Sequence, residues 1–388
     1  TLDPRPHVAR GQTTFGLVSA MSPRLQRLPL LAAGILTLAY GVFVGLARLG
    51  FTLPLPQPTH LLLHGPLMVC GFLGTVIGLE RAVALGRAWT YGVPVLAALA
   101  SLAMLVGPAS RLGPALFGLS SLLLVAVYAV VLKRQPTLFN GVMAAGAVLW
   151  LVGNLLWLGG TPVPRLVFLW AGFLVLTIAG ERLELTRFLR PTRFGRAAFL
   201  SSTGLLTVGV MTVPLAAPLG HRLTGLGLLA LALWLARFDI ARRTVRQGGL
   251  TRFVAVCLLS GYAWLASGGV LTLAYAASLA GPVYDAALHA IFLGFVFAMI
   301  FGHAPIIFPA VLRGNMIFRP AFYVHLGLLH VSLLVRVAGD LGLVLAGEAW
   351  MPWRLWGGLL NGAAVALFLA NTVRSLRLEP AAARPISG

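Results

Sequence analysis

The sequence predicts an all-α polytopic membrane protein of about twelve transmembrane helices, and three observations carry that prediction. The 388-residue chain is 59% hydrophobic and 10% charged, with a mean hydropathy of +0.93, a balance that would leave a water-soluble protein of this length with an apolar surface. Apolar stretches of about 20 residues recur along it, the length a helix needs to cross a hydrocarbon layer roughly 30 Å thick. Of the 29 Lys and Arg, 23 fall in the N-terminal tail, the even-numbered loops and the C-terminal tail, five lie in or beside odd loops, and Arg336 falls inside a span. That is the positive-inside pattern, and it places both termini in the cytoplasm.

Each predicted span is closed by Gly, Pro or Arg. The spans are 28–48, 57–79, 91–109, 112–132, 138–158, 164–181, 197–217, 221–240, 252–279, 285–310, 321–345 and 355–373. Residues 1–27 form a basic cytoplasmic tail without a signal-peptide core, 28–373 a single transmembrane domain, and 374–388 a second cytoplasmic tail. The expected location is the inner membrane of a bacterium, with the lipid bilayer as constant partner.

The net charge of +20 does not indicate nucleic acid, because the basic residues are spread over alternate loops instead of one face. Cys70 and Cys257 each sit within an apolar span, which leaves no disulfide framework and no CxxC pair and makes them buried small hydrophobes. Met68, Met299, Phe295 and Phe297 have the spacing of packed membrane helices.

A repeat emerges when spans two, six and ten are superposed. Gly71-Phe72-Leu73, Gly172-Phe173-Leu174 and Gly294-Phe295-Val296 precede Glu80, Glu181 and His303 by the same interval, at spacings of 101 and 122 residues, or four spans each time. The chain then reads as three pseudo-symmetric four-helix units. Such a repeat would bring Glu80, Glu181 and His303 face to face; chance matching in a Gly- and Leu-rich chain is the competing account.

An ionisable group inside a span is costly unless paired or wet, so each is a functional candidate. His60 and His64, four apart, fall on one face of a regular helix near the outer surface. His289 has the depth of His64, and span eleven, entering from the cytoplasm, brings Arg336 and Asp340 to that level, with Tyr284 and Asp285 at the rim. Two histidines on facing helices with an arginine beside them suit a heme ligated on both faces, the arginine pairing a propionate. The alternative is that each histidine bonds a carbonyl and Arg336 pairs with Asp340 alone.

His303 follows His289 by 14 residues, a rise of about 21 Å, so one metal ion cannot bind both. An inner site is expected from His303, His330 opposite it, His325 about 7 Å nearer the cytoplasm, Glu80 and Glu181, a nitrogen and oxygen set suited to iron, copper or zinc. Glu80-Arg81 and Glu181-Arg182 otherwise read as interfacial ion pairs. Pro305 is expected to break the helix after His303 and free a carbonyl. His7 and His221 read as solvent-exposed.

The run HGPLMVCGF beginning at His64 resembles the HGxxM signature of heme-copper oxidase subunit I, in which the histidine ligates a low-spin heme. The segments HAIFLGFVFAMIFGHAPIIFPAVL from His289 and HLGLLHVSLLVRVAGD from His325 look closer to the NnrS family, membrane proteins containing heme and copper and associated with nitric oxide tolerance and denitrification. The resemblance implies twelve spans, three four-helix arcs, heme on His64 and His289, and metal or heme contributions from His303 and His330. It departs from the oxygen reductases in spans six and seven, which hold no histidine here, only Glu181, Ser201, Ser202 and Thr203. Dioxygen reduction coupled to proton pumping is therefore not expected.

The function expected is thus a heme-binding membrane protein, with copper or iron at a second site, handling nitric oxide or a similar diatomic gas, its electrons supplied by a cytochrome c or a quinol. The alternative is a cofactor-free, proton-coupled transporter or channel built on Glu80, Glu181, His303 and Arg336. A quinol-oxidising enzyme with Arg336 and Asp340 beside a lipid-facing cleft is a third reading.

Overall fold

A computed structural model describes residues 23–189 and 192–378. Among these residues, twelve helices are long and apolar enough to cross a membrane. They are α1 (Arg27–Leu49), α2 (Pro58–Leu85), α3 (Ala88–Val106), α4 (Leu112–Arg134), α5 (Leu138–Leu158), α6 (Val163–Thr186), α7 (Arg193–Thr212), α8 (Ala217–Phe238), α9 (Gly249–Ala274), α10 (Pro282–Leu312), α11 (Phe322–Ala346) and α12 (Glu348–Ser375). The protein is an all-α polytopic membrane protein. Its outer face carries exposed Leu102, Val106, Leu215 and Leu345, side chains that hydrocarbon accepts and water does not.

Most helices lie against their chain neighbours, and α1 meets α12. Three helices sit inside. In the most apolar windows of α2, α6 and α10, 61%, 78% and 67% of residues are buried, against 33–56% in the other nine. These are the helices that carry the Gly-Phe repeat, and the glycines explain the close approach. A methyl group on Gly172 would meet Leu149 of α5 at 2.8 Å and Val210 of α7 at 3.2 Å, so α6 packs tightly against both neighbours.

Several helices depart from the expected spans. α2 and α6 continue past Glu80 and Glu181 to Leu85 and Thr186, which sets both carboxylates about 8 Å inside the helix ends. α12 starts at Glu348 with a 3₁₀ turn, Glu348–Trp350, seven residues before the expected start, because Pro352 lies in the helix's first turn, where its missing N–H costs nothing. α10 does not break at Pro305; it runs helically through Pro305 and Pro309 to Leu312. Arg313 (φ 50°) ends it in the left-handed region.

Two irregularities bear on the site. α2 opens with a 3₁₀ segment, Pro58–Leu63, and both α2 and α10 widen into π-helical turns at Leu67–Leu73 and Ala290–Phe297. Each π segment begins within three residues of a site histidine, His64 or His289, and such turns re-aim side chains at functional positions. A two-stranded antiparallel sheet, β1 (Gly314–Met316) with β2 (Leu376–Leu378), ties the α10–α11 turn to the chain after α12.

Candidate functional site

Helices α1–α6 and α10–α12 line a cavity of about 730 Å³ that reaches from Pro108, Pro162 and Gly281, in three odd-numbered loops, down to Met68 and Phe297. His64 and His289 both line it. Their ring centroids are 6.2 Å apart and the planes lie within 13° of each other. The Nδ1 of His64 donates to the Gly41 carbonyl of α1 at 2.8 Å, and that of His289 to the Asp285 carbonyl one turn back, also at 2.8 Å. These bonds place the ring protons on Nδ1 and leave each Nε2 as a lone pair. Neither Nε2 has a hydrogen-bond partner among the described residues, and neither is sealed from the cavity.

Arg48, Arg336 and Arg354 line the same cavity. Arg336 Nη2 donates to Asp285 Oδ2 at 2.7 Å and Arg354 Nη2 to the same oxygen at 3.2 Å. Asp340, fully buried, pairs with Arg354 Nε at 2.6 Å and Arg336 Nε at 3.9 Å. Two aspartates and two arginines thus form one neutral cluster across α10, α11 and α12, the compensation that charges in a membrane require. Arg48, with one nitrogen on the Leu61 carbonyl at 3.1 Å, faces no carboxylate in this cluster.

Of the predicted outer residues, His64, His289 and Arg336 converge and His60 does not. His60 is 3% exposed and turns to α1, where Tyr40 Oη lies 2.5 Å from its Nδ1. The physical reason is the 3₁₀ segment: at three residues per turn, positions four apart no longer share a face. The principal partner of Arg336 is Asp285, not Asp340 alone. Arg354 escaped the sequence reading because α12 was expected to begin after it.

The predicted inner residues sit in three separate places. Arg81 Nη2 donates to Glu80 at 2.9 Å and to Glu181, linking α2 to α6. Arg182, 4% exposed, donates through Nη2 to His303 Nε2 at 3.1 Å, linking α6 to α10, while His303 Nδ1 donates to its own helix at the Met299 carbonyl (2.7 Å). So Glu80, Glu181 and His303 do meet at one end of the three central helices, through two arginines. The carbonyl that His303 uses is thus not one freed by a helix break. His330 is elsewhere: its Nδ1 accepts from Trp264 at 3.0 Å. His325 is elsewhere again, accepting from Asn371 at 3.1 Å inside a box of Phe253, Phe301, Phe322 and Phe368. Among the described residues, no group of three or more His, Cys, Asp or Glu is arranged to hold a metal ion.

Aromatic layers separate the two ends. Phe72 stands between His64 and Glu80 on α2, and Phe297 and Phe301 between His289 and His303 on α10. Phe72 meets Phe297 at 6.0 Å, and Phe301 stacks on Phe368 of α12 at 4.3 Å. Beyond the inner end, Asp239, 2% exposed, accepts from the Ala241 amide at 2.7 Å, and burial pushes its carboxyl above the usual carboxylate range.

His221 is not solvent-exposed. It lies in α8 at 1% exposure, its Nδ1 donating to the Ala276 carbonyl at 2.7 Å and its ring against Phe168. His7 lies outside the described residues. Cys70 packs with Trp150, whose Nε1 donates to its Sγ at 3.3 Å, and both cysteines are free and buried.

No curated protein matches the chain in sequence. A family profile described as "Domain of unknown function (DUF8744)" matches residues 27–377, the whole twelve-helix domain, and the chain belongs to that family.

Proposed function

We propose that the protein holds a heme between His64 and His289 and handles nitric oxide or a related diatomic molecule, as the resemblance to the NnrS family suggests. One observation carries the reading: two near-parallel imidazoles, each fixed through Nδ1, present unpartnered Nε2 atoms to one large cavity. With metal–nitrogen bonds of about 2.0–2.1 Å, imidazoles on opposite sides of one ion have centroids roughly 6.3 Å apart, and the observed separation is 6.2 Å. A porphyrin brings four nitrogens of its own, so two protein ligands complete its iron, and a three-ligand protein cluster is a requirement only for a bare ion.

The residues present fit such a group. The cavity walls are largely apolar, Arg48, which faces no carboxylate of the Asp285–Asp340 cluster, would supply a cation for its carboxylates, and the Gly41 and Asp285 carbonyls keep the ring protons of both imidazoles on Nδ1. Bound heme would supply a redox-active iron. Held by both His64 and His289 it would serve electron transfer from a cytochrome c or a quinol, and held by one of them it would be able to bind a gas.

A second reading, a cofactor-free proton-coupled transporter, is favoured by a different observation. The Arg81 ion pairs to Glu80 and Glu181 and the Arg182–His303 hydrogen bond join the three central helices at the inner end, and no bare-metal ligand set exists among the described residues. Under either reading we place both termini in the cytoplasm of a bacterial inner membrane, which puts the cavity mouth on the outer side. The meeting of Glu80, Glu181 and His303 supports the three-unit repeat as the origin of the fold.

The test is the absorption spectrum of detergent-purified protein, oxidised and reduced, with metal analysis. A Soret band present in wild type and lost in His64→Ala and in His289→Ala is the expected result. Colourless, metal-free wild type from heme-replete cells would overturn the heme reading and leave transport.

A further inference from the structure

The even-numbered loops do not share their positive charge equally. The turns after α2, α4 and α10 hold two basic residues each: Arg81 and Arg87, Lys133 and Arg134, Arg313 and Arg319. Two per loop already meets the positive-inside bias. On the same face, the ends of α7, α8 and α9 carry seven exposed arginines. Arg193 and Arg196 belong to α7, Arg237 to the last turn of α8, Arg242, Arg243 and Arg246 to the turn that follows, and Arg252 to α9.

Packing joins them into one patch. Thr192 Oγ1 caps α7 by accepting from the Gly195 amide at 3.0 Å, and the Gly195 carbonyl accepts from Trp234 Nε1 of α8 at 2.6 Å. The Trp234 ring lies 4.6 Å from that of Phe199 in α7 and 5.5 Å from that of Phe238 in α8. The first turn of α7 is thereby held on the last turns of α8. Arg242 Nη1 donates to the Arg237 carbonyl at 3.0 Å, which folds the α8–α9 turn back over the same end.

No carboxylate answers this patch. Residues 185–284 include one acid, Asp239, and it is 2% exposed, turned inward to accept from the Ala241 amide. Glu184 pairs with Arg187, whose guanidinium stands over Phe139 of α5, on the other flank of α6. Among the described residues, none of the seven arginines forms an ion pair. Arg193 and Arg252 stand in the first turns of α7 and α9, which hold no acidic residue, although a helix dipole favours an anion there and disfavours a cation. The negative group that this end calls for must come from outside the chain.

A second, independent feature says what kind of group it is. Phe194, in the same first turn as Arg193, is 75% exposed, and the apolar surface continues along α7 and α8 through exposed Leu200 and Leu233. An aromatic ring among cations at the end of a span fits the boundary between lipid headgroups and acyl chains.

We propose that the ends of α7, α8 and α9 form a binding surface for anionic phospholipid, with headgroup phosphates on the arginines and Phe194 at the acyl boundary. The guanidinium fork suits phosphate because it donates two parallel N–H bonds to its oxygens. A soluble anion would use the arginines and leave Phe194 without a role; a lipid uses both. The inference does not rest on the heme reading.

Native mass spectrometry of the full-length protein in detergent, titrated with phosphatidylglycerol or with phosphatidylcholine, tests it. Wild type is expected to retain phosphatidylglycerol and not phosphatidylcholine. Retention should weaken about tenfold or more both in the triple variant Arg242→Gln, Arg243→Gln, Arg246→Gln and in the double variant Arg193→Gln, Arg196→Gln. The control Lys133→Gln, Arg134→Gln, on another even loop, should bind as wild type does, and matching unfolding midpoints without lipid certify that the variants are folded. Equal loss in the control would show that only the general charge of this face acts, and overturns the proposal. So do two results on wild type that need no variant: equal or absent retention of the two lipids, and displacement of phosphatidylglycerol by inorganic phosphate, which would assign the arginines to a free anion.

Discussion

Asp285 holds His289 through its backbone and two arginines through its side chain. The 2.8 Å bond to His289 Nδ1 ends on the Asp285 carbonyl, whereas Oδ2 receives Arg336 and Arg354 and Oδ1 lies 3.4 Å from the same imidazole. The tautomer of His289 and the charge balance of the cavity are therefore separable by substitution.

Asp285→Asn is expected to keep the backbone bond and the orientation of His289 while leaving Arg336 and Arg354 short of one negative charge. Removing one partner of a buried ion pair costs about 3–5 kcal/mol, and because the Asp285 side chain is 24% exposed the loss should fall at or below the low end of that range. Thermal unfolding in detergent reads it. An unchanged midpoint would show that Asp340 alone suffices for both arginines.

The ring of His64 rests against α1 at Gly45. A methyl group there would stand 2.7 Å from Cε1 and 2.8 Å from Nδ1, closer than real contacts permit, and the ring itself must move. Gly45→Ala is expected to leave the helix intact, since alanine favours helices over glycine by about 1 kcal/mol, yet to displace His64 and, on the proposed heme reading, to abolish most of the Soret absorbance. A variant with a wild-type spectrum and stability would mean the imidazole has slack that the packing does not show.

Much of this was legible from the residues. Twelve apolar runs are visible because hydrocarbon tolerates little else, and the centrality of α2, α6 and α10 is written in Gly71, Gly172 and Gly294. His64 and His289 could be matched in depth because helical rise is constant. What could not be read was rotation. His60 left the site because residues 58–63 wind as a 3₁₀ helix, and His330 and His325 turned to Trp264 and Asn371 because helix azimuth depends on packing that no single span encodes. His221 was misplaced because Gly220-His221-Arg222 has the composition of a loop, although a proline two residues before that glycine is what opens α8.

Asp239 gives a pH dependence whose sign can be worked out. Burial raises its carboxyl above the ordinary value near 3.8, so the folded state binds the proton more tightly than the unfolded state. The contribution to stability is complete below the unfolded pKa and is lost as pH rises through the folded one. Asp239→Asn, which keeps an acceptor for the Ala241 amide, removes this dependence. The midpoint of wild type relative to the variant should therefore fall as pH rises above about 4. A difference that stays constant, or grows, would show that Arg182 keeps the carboxylate charged in the fold.

Arg182 and His303 form a contact between α6 and α10 that depends on a neutral imidazole, since the guanidinium donates to Nε2 while Nδ1 donates to Met299. His303→Ala removes the acceptor from a cation that is 4% exposed. Leaving a buried charged donor without its partner costs about 1–3 kcal/mol or more. His303→Gln, whose side-chain carbonyl can accept from Arg182, should recover most of that loss, and His303→Leu, which fills the volume without an acceptor, should not. Equal stability of the Leu and Gln variants would mean that α6 and α10 are held by packing alone and that Arg182 is satisfied elsewhere, with Asp239 as the first candidate.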